Sequence, residues 1–383
     1  MMRQIFPTFL NVAACLRNSC LGTTWMRIGR QILLALLTFL GLTSLASAHV
    51  SITAGTNPRA VAINPVTNKI YVANVDSANV TVIDGTNHST ATVAAGTTPI
   101  AVAINPMTNK IYVANSSSGN ITVIDGTNHS TATVAAGTNP FAVAVNPVTN
   151  KIYVANLHSA NVTVIDGATN SVKTVATGTT PYAVAVNPVT NKIYVANYSS
   201  NIVTVIDGAN NTTTTVTAGT NPYAVAINAV TNKIYVANLN SADVTVIDGW
   251  NNRVTKVAVG TTPNCLAINS VTNKIYVANY GSNNVTVIDG ANNSAKTVAA
   301  GANPYAVGVN PVTNKIYVPH YSGNNVMVID GASNSVVATV AVGTNPAAVA
   351  INPLSNKIYV ANVRSNNLTV IDPAPSAFER PPD

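Results

Sequence analysis

The sequence predicts an all-β chain: an eight-bladed propeller of four-stranded antiparallel blades. Three observations predict it. The heptapeptide NKIYVAN begins at Asn68 and recurs at Asn109, Asn150, Asn191, Asn232 and Asn273, then as NKIYVPH at Asn314 and NKIYVAN at Asn356. Its tyrosines, from Tyr71 to Tyr317, stand 41 residues apart, and Tyr359 follows after 42. A period near 40 with strand-like content is the signature of propeller blades. No segment sustains the apolar period of 3.6 residues that a helix needs.

One unit shows how the blade is built. RAVAIN (Arg59–Asn64) is a short apolar strand, A. NPVTN turns the chain, because Pro65 presets φ and Asn tolerates tight backbone geometry. KIYVAN (Lys69–Asn74) is strand B, rich in β-branched and aromatic residues. After the loop VDSAN comes VTVID (Val80–Asp84), strand C; after GTNHS comes TATVAAG (Thr90–Gly96), strand D. Four strands joined by hairpin-length loops make one antiparallel blade.

Strand A occurs eight times, at Ala60, Ala101, Ala142, Ala183, Ala224, Cys265, Ala306 and Ala348. Strand C also occurs eight times, the last ending at Asp372. PAPSAFERPPD follows and is no strand, so the eighth blade lacks its own D. The missing strand stands at the other end, where VSITAGTNP (Val50–Pro58) matches ATVAAGTNP (Ala132–Pro140). The N-terminal segment is expected to pair with Leu368–Asp372 and close the ring, which removes exposed strand edges. Seven blades and a stray unit is the alternative. The propeller then spans residues 49–373, and 374–383 form a flexible tail.

Composition bounds the partners. Charged residues make up 8% of the chain, while 47% is hydrophobic, so a large core can be buried. Arg27 and Arg30 precede an apolar run from Ile32 to Leu42, and Ala46, Ser47 and Ala48 supply an A-x-A site. Residues 1–48 read as a secretory signal peptide cut near Ala48, with Met1 or Met26 as the start. The run is too short for a comfortable membrane span. Without that leader, 15 basic residues face 12 acidic ones, a net charge of +3. Nucleic-acid binding then loses its main support. Cys265 becomes the last cysteine, so neither a disulfide nor a cysteine metal site is expected.

The units NPVTNKIYVAN, VTVIDG and VAAGTNP resemble those of the YVTN-type β-propeller repeat family of bacterial secreted and archaeal surface-layer proteins. The resemblance covers residues 50 to 372. It implies the fold and little about function, since that family is defined by its scaffold.

Residues repeated in every blade are expected to be architectural. Pairing Tyr71 with Val82 sets Lys69 opposite Asp84, which reads as one rung of an eight-fold charge ladder. The repeated Tyr reads as packing between blades. A single site should instead break the repeat, and two stretches do. One is the residue after the Pro that opens strand A: Arg59, Ile100, Phe141, Tyr182, Tyr223, Asn264, Tyr305 and Ala347. The other is the B–C loop. In propellers of this connectivity the D–A and B–C loops share one face. Phe141, Tyr182, Tyr223 and Tyr305 are expected to ring the mouth there, with His158, Tyr198, Tyr280, His320 and Tyr321 outside them. Such a face is a default binding site.

Catalysis needs positioned acids, bases, nucleophiles or metals. The one Glu outside the leader is Glu379 in the tail, and outside the repeated Asp of strand C stand only Asp76, Asp243 and Asp383. Neither catalytic residues, metal nor cofactor are assigned. The expected function is a non-enzymatic, secreted, monomeric scaffold at the periplasm or cell surface that binds a protein or glycan through its variable face. A structural cell-surface repeat protein, or a lactonase-like hydrolase, is the alternative.

Overall fold

The computed structural model describes residues 49–372. The expected signal peptide and tail lie outside the described residues. Eight four-stranded antiparallel sheets stand in a ring, each ordered A-B-C-D from the axis outward. Blade one runs through Pro58–Asn64, Lys69–Asn74, Asn79–Asp84 and Thr90–Ala94. No helix occurs among the described residues.

The eighth blade takes its D strand from the N-terminal side. Val50–Thr53 pairs with the last C strand, Val50 opposite Val370 and Thr53 opposite Asn367. Ile52 enters a core with Ile70, Val72 and Ile83 of blade one and Tyr359, Leu368 and Val370 of blade eight. The ring is therefore eight-bladed and closed by that strand, as the unmatched D strand predicted.

The heptapeptide now has an account residue by residue. Asn68 holds φ at +53°, a left-handed conformation that Asn tolerates better than most residues. Its side-chain oxygen accepts a hydrogen bond from Asn352 of blade eight at 2.6 Å. The same contact repeats between Asn64 and Asn109, Asn105 and Asn150, and onward to Asn310 and Asn356, so eight amide pairs belt the ring. Ile70 and Val72 face the preceding blade, while Tyr71 and Ala73 face the next and meet Ile111, Val113 and Ile124. Both faces of strand B are thus covered, and its residues from Ile70 to Asn74 are all buried. The closing Asn74 donates to Asn79 and Thr81 at the far end of the blade. The expected packing role of the tyrosines is what their full burial shows.

The charge ladder needs correction. Lys69 does stand opposite Asp84 in the strand register. Yet its Nζ donates to the carbonyl of Gly126 in the next blade, at 3.3 Å. Lys110, Lys151, Lys192, Lys233 and Lys274 do the same to Gly167, Gly208, Gly249, Gly290 and Gly331. The long Lys stem reaches past its cross-strand neighbour to an oxygen that the turn leaves unpaired. Two rungs do form ion pairs: Lys315 with Asp330 at 2.7 Å and Lys357 with Asp372 at 3.7 Å. Asp84 instead caps the C–D turn. Its carboxylate accepts from the Thr86 N–H at 2.8 Å, and that bond leads the causes that lower its pKa; Lys69 comes last.

Gly85 is required by close approach. It donates to the Asn68 carbonyl at 2.8 Å, and a Cβ would lie 2.6 Å from that same oxygen.

Blade seven departs from the pattern. Its A strand shrinks to Gly308–Asn310, with an isolated bridge from Pro304 to His320. Pro319 replaces the alanine of strand B and brings no N–H for the ladder.

Candidate ligand-binding site at the channel mouth

The D–A and B–C loops meet at one end of each blade. In blade one Thr56 N donates to Ser77 Oγ at 3.0 Å, and Val75 N donates to the Asn57 carbonyl. The expected sharing of one face therefore holds.

A local device aims the variable residues into that face. In seven blades the A–B register shifts by one residue between the opening Pro and the residue two positions on, as between Pro140 and Ala142. The residue between them has no partner across the ladder. Such a bulge re-aims its side chain and frees it from the packing that dictates its neighbours. This is why Arg59, Phe141, Tyr182, Tyr223 and Asn264 can differ without disturbing the blade.

The A strands of successive blades adjoin around the axis, so these bulged residues converge. Tyr182 lies between Phe141 and Tyr223, with ring centroids 4.5 and 4.2 Å away. Tyr198 packs against both Tyr182 (5.9 Å) and Tyr223 (6.4 Å). A second group joins Tyr305 to Tyr280 at 6.2 Å and to Tyr321 at 5.2 Å. The Asn264 amide donates to the Tyr305 carbonyl at 3.1 Å. Across the mouth from blade one, Arg59 Nη2 donates to the Tyr305 hydroxyl at 3.2 Å. The Tyr182 hydroxyl donates to that of Tyr223 at 2.7 Å. All of these side chains are half-buried.

The packing affects both the chemistry and the faces that remain free. Burial, followed by the bond to Tyr223, pushes the Tyr182 phenol well above its ordinary pKa. Burial also raises that of Tyr223, where Tyr305 and Arg59 act on it with opposite sign. The faces of Tyr182 are largely spent on Phe141 and Tyr223. Its hydroxyl group remains the adaptable part.

Seven of the nine residues expected in the site fall into two aromatic groups: Phe141, Tyr182, Tyr198 and Tyr223 in one, and Tyr280, Tyr305 and Tyr321 in the other. The two histidines are placed apart from them. His158 is exposed on its loop, its Nδ1 3.4 Å from Asn139 Nδ2. His320 ends strand B of blade seven, is 2% exposed, and its Nδ1 lies 2.8 Å from Asn325 Oδ1. It occupies the place that Asn74 fills in blade one, and burial lowers its pKa. Sequence reasoning passed over Arg59 and Asn264. The signal was present, since Arg59 is the one charged residue among the eight positions that follow the opening Pro. Among the described residues no three His, Cys, Asp or Glu side chains form a group able to hold a metal ion. No described helix is long and apolar enough to cross a membrane.

Comparison with known proteins places the fold. Residues 130–308 match the family model of the YNCE-like beta-propeller. No curated protein matches the chain. Among solved structures, hydrazine synthase of Kuenenia stuttgartiensis is similar with a TM-score of 0.61 and 20% identity, covering 87% of this chain and all of that one. Sqt1 of Saccharomyces cerevisiae is similar with a TM-score of 0.73 and 8% identity, covering 85% of this chain and 98% of that one. At such identities the likeness concerns the fold alone. Residues 130–308 are thus similar to the YNCE-like β-propeller family, and the blades they contain are the unit repeated around the whole eight-bladed ring.

Proposed function

We propose that the chain is a non-enzymatic binding scaffold, exported by its N-terminal leader, that captures a protein or glycan at the mouth formed by its D–A and B–C loops. One observation carries the reading. The repeat breaks at the B–C loop and at the residue after the opening Pro, and at that second position Phe141, Tyr182 and Tyr223 pack together while Tyr305 meets Arg59. Tyr and Arg are the side chains that most often dominate binding energy at an interface.

The test is a pull-down from the native cell envelope with the full chain and with Tyr182→Ala/Tyr223→Ala/Tyr305→Ala. The variant is expected to fold, because Ala347 occupies the same position in blade eight, and to lose the captured partner. Retention of every partner by a folded variant would sink the proposal.

A second reading is a structural surface protein. It is favoured by the opposite face, where every A–B turn exposes an apolar residue, from Val66 (71% exposed) to Leu354 (67%). A chain that captures nothing but assembles in isolation would support it.

A further inference from the structure

The geometry points to a carboxylate-binding subsite at the centre of the mouth, with Arg59 as its anchor and the Tyr182, Tyr223 and Tyr305 hydroxyls beside it. This deepens the binding reading above and rests on it.

The argument begins with an unbalanced charge. Arg59 is half-buried, and its one hydrogen-bond partner among the described residues is the neutral hydroxyl of Tyr305. No described carboxylate stands within ion-pair distance of it. The neighbouring acid, Asp76, is exposed on its loop and accepts from Asn57 at 3.2 Å. Asp243, on the same face at blade five, lies 3.9 Å from Lys256 and accepts from Asn238. Withdrawing a guanidinium from water without a counter-charge is unfavourable, and an anion that arrives with its own charge removes the cost.

The surroundings select the kind of anion. Arg presents a planar fork of donors that matches a carboxylate in two parallel bonds. Only one fork bond is engaged, to Tyr305. Tyr182 and Tyr223 hold their hydroxyls against each other at 2.7 Å, and each hydroxyl can turn to donate outward instead. A phenol is protonated at neutral pH and burial raises both further, so the two hydroxyls remain donors there. One cation with neutral donors balances a single negative charge, which fits a carboxylate better than a doubly charged phosphate. The ring faces are mostly covered by neighbouring rings, which argues against a neutral sugar held by stacking. The carboxylate can come from a free small acid or from an acidic glycan.

Titration calorimetry of the full chain would decide, with acetate, oligogalacturonate, the matching neutral oligogalactoside and inorganic phosphate as probes. Oligogalacturonate alone, or acetate as well, is expected to bind, and the difference between them identifies the source. Arg59→Gln should weaken that binding about ten- to hundredfold, the worth of a charge-assisted hydrogen bond. Arg59→Lys should restore part of it, and added salt should weaken it. Thermal melting should leave both variants close to the parent, since Ile100, Asn264 and Ala347 occupy the position elsewhere. Failure of every carboxylated probe to bind overturns the inference. So does equal binding of the neutral oligomer, a preference for phosphate, or indifference to Arg59→Gln. If the triple tyrosine variant loses its envelope partner while Arg59→Gln keeps it, the binding face stands and the carboxylate subsite falls.

Discussion

Replacing Ile52 by Ala tests how the ring is closed. Ile52 is the one inward-facing residue of the Val50–Thr53 strand, 6% exposed between its neighbours at the seam of blades eight and one. The substitution removes three carbon groups from that seam, worth about 2.4 kcal/mol at roughly 0.8 kcal/mol each. The cavity left behind adds to this, and Ile-to-Ala changes in cores span about 2–5 kcal/mol. The strand is the outermost of its blade and can settle inward, so the loss should fall at about 2.5–3.5 kcal/mol. Ser51→Ala, exposed on the same strand, should stay within about 0.5 kcal/mol. Urea titration followed by far-ultraviolet circular dichroism reads both changes as shifts of the midpoint at constant slope. If Ile52→Ala melted with the parent, the N-terminal strand would carry no weight in the seam and the argument for closure would be refuted.

Three other outcomes are expected. Asn146→Ala opens one link of the amide belt, where the buried Asn146 donates to Asn191 at 2.8 Å and accepts from Val148 N at 3.1 Å; the same titration should show a loss of about 1–3 kcal/mol. Gly119 holds φ at +64° where four other blades carry Asn, and a Cβ there meets nothing nearer than 3.7 Å. Gly119→Asn should therefore stay within about 0.5 kcal/mol of the parent, the left-handed strain offsetting the reduced freedom of the unfolded state, and a larger loss in the urea titration would contradict this. Burial pushes the phenols of Tyr71, Tyr112, Tyr153, Tyr194, Tyr235, Tyr276 and Tyr359 from 10.0 up to about 12. A phenol whose folded pKa is raised adds stability that is complete below the unfolded value and fades as pH climbs through the folded one. Stability should thus drop between pH 10 and about 12, with phenolate absorbance rising together with the loss of circular dichroism; early titration of these tyrosines in the folded chain would count against their burial.

The blade, the blade count and the closing strand were all legible in the sequence, because each depends on local patterns written many times. Alternating apolar residues name a strand, Asn and Pro name a turn, and a D strand without a C strand before it must pair elsewhere. The Tyr of each repeat could likewise be assigned to packing, since a residue present in every blade serves the scaffold. Contacts between blades were not legible. Lys69 and Asp84 face each other in the register, but only the approach of the next blade brings the Gly126 carbonyl within reach of the Lys and leaves the Asp to its own turn. His320 illustrates the same limit: it takes the place of the Asn that closes strand B in the other blades, and there it is buried against Asn325 rather than offered to the mouth. The site shows both sides. Its location followed from where the repeat breaks, but the stacking that uses up the Tyr182 ring and the reach of Arg59 from blade one to Tyr305 in blade seven arise only when the blades close around one axis. Local sequence sets which strands form and which positions vary; the ring alone decides which side chains 246 residues apart come to touch.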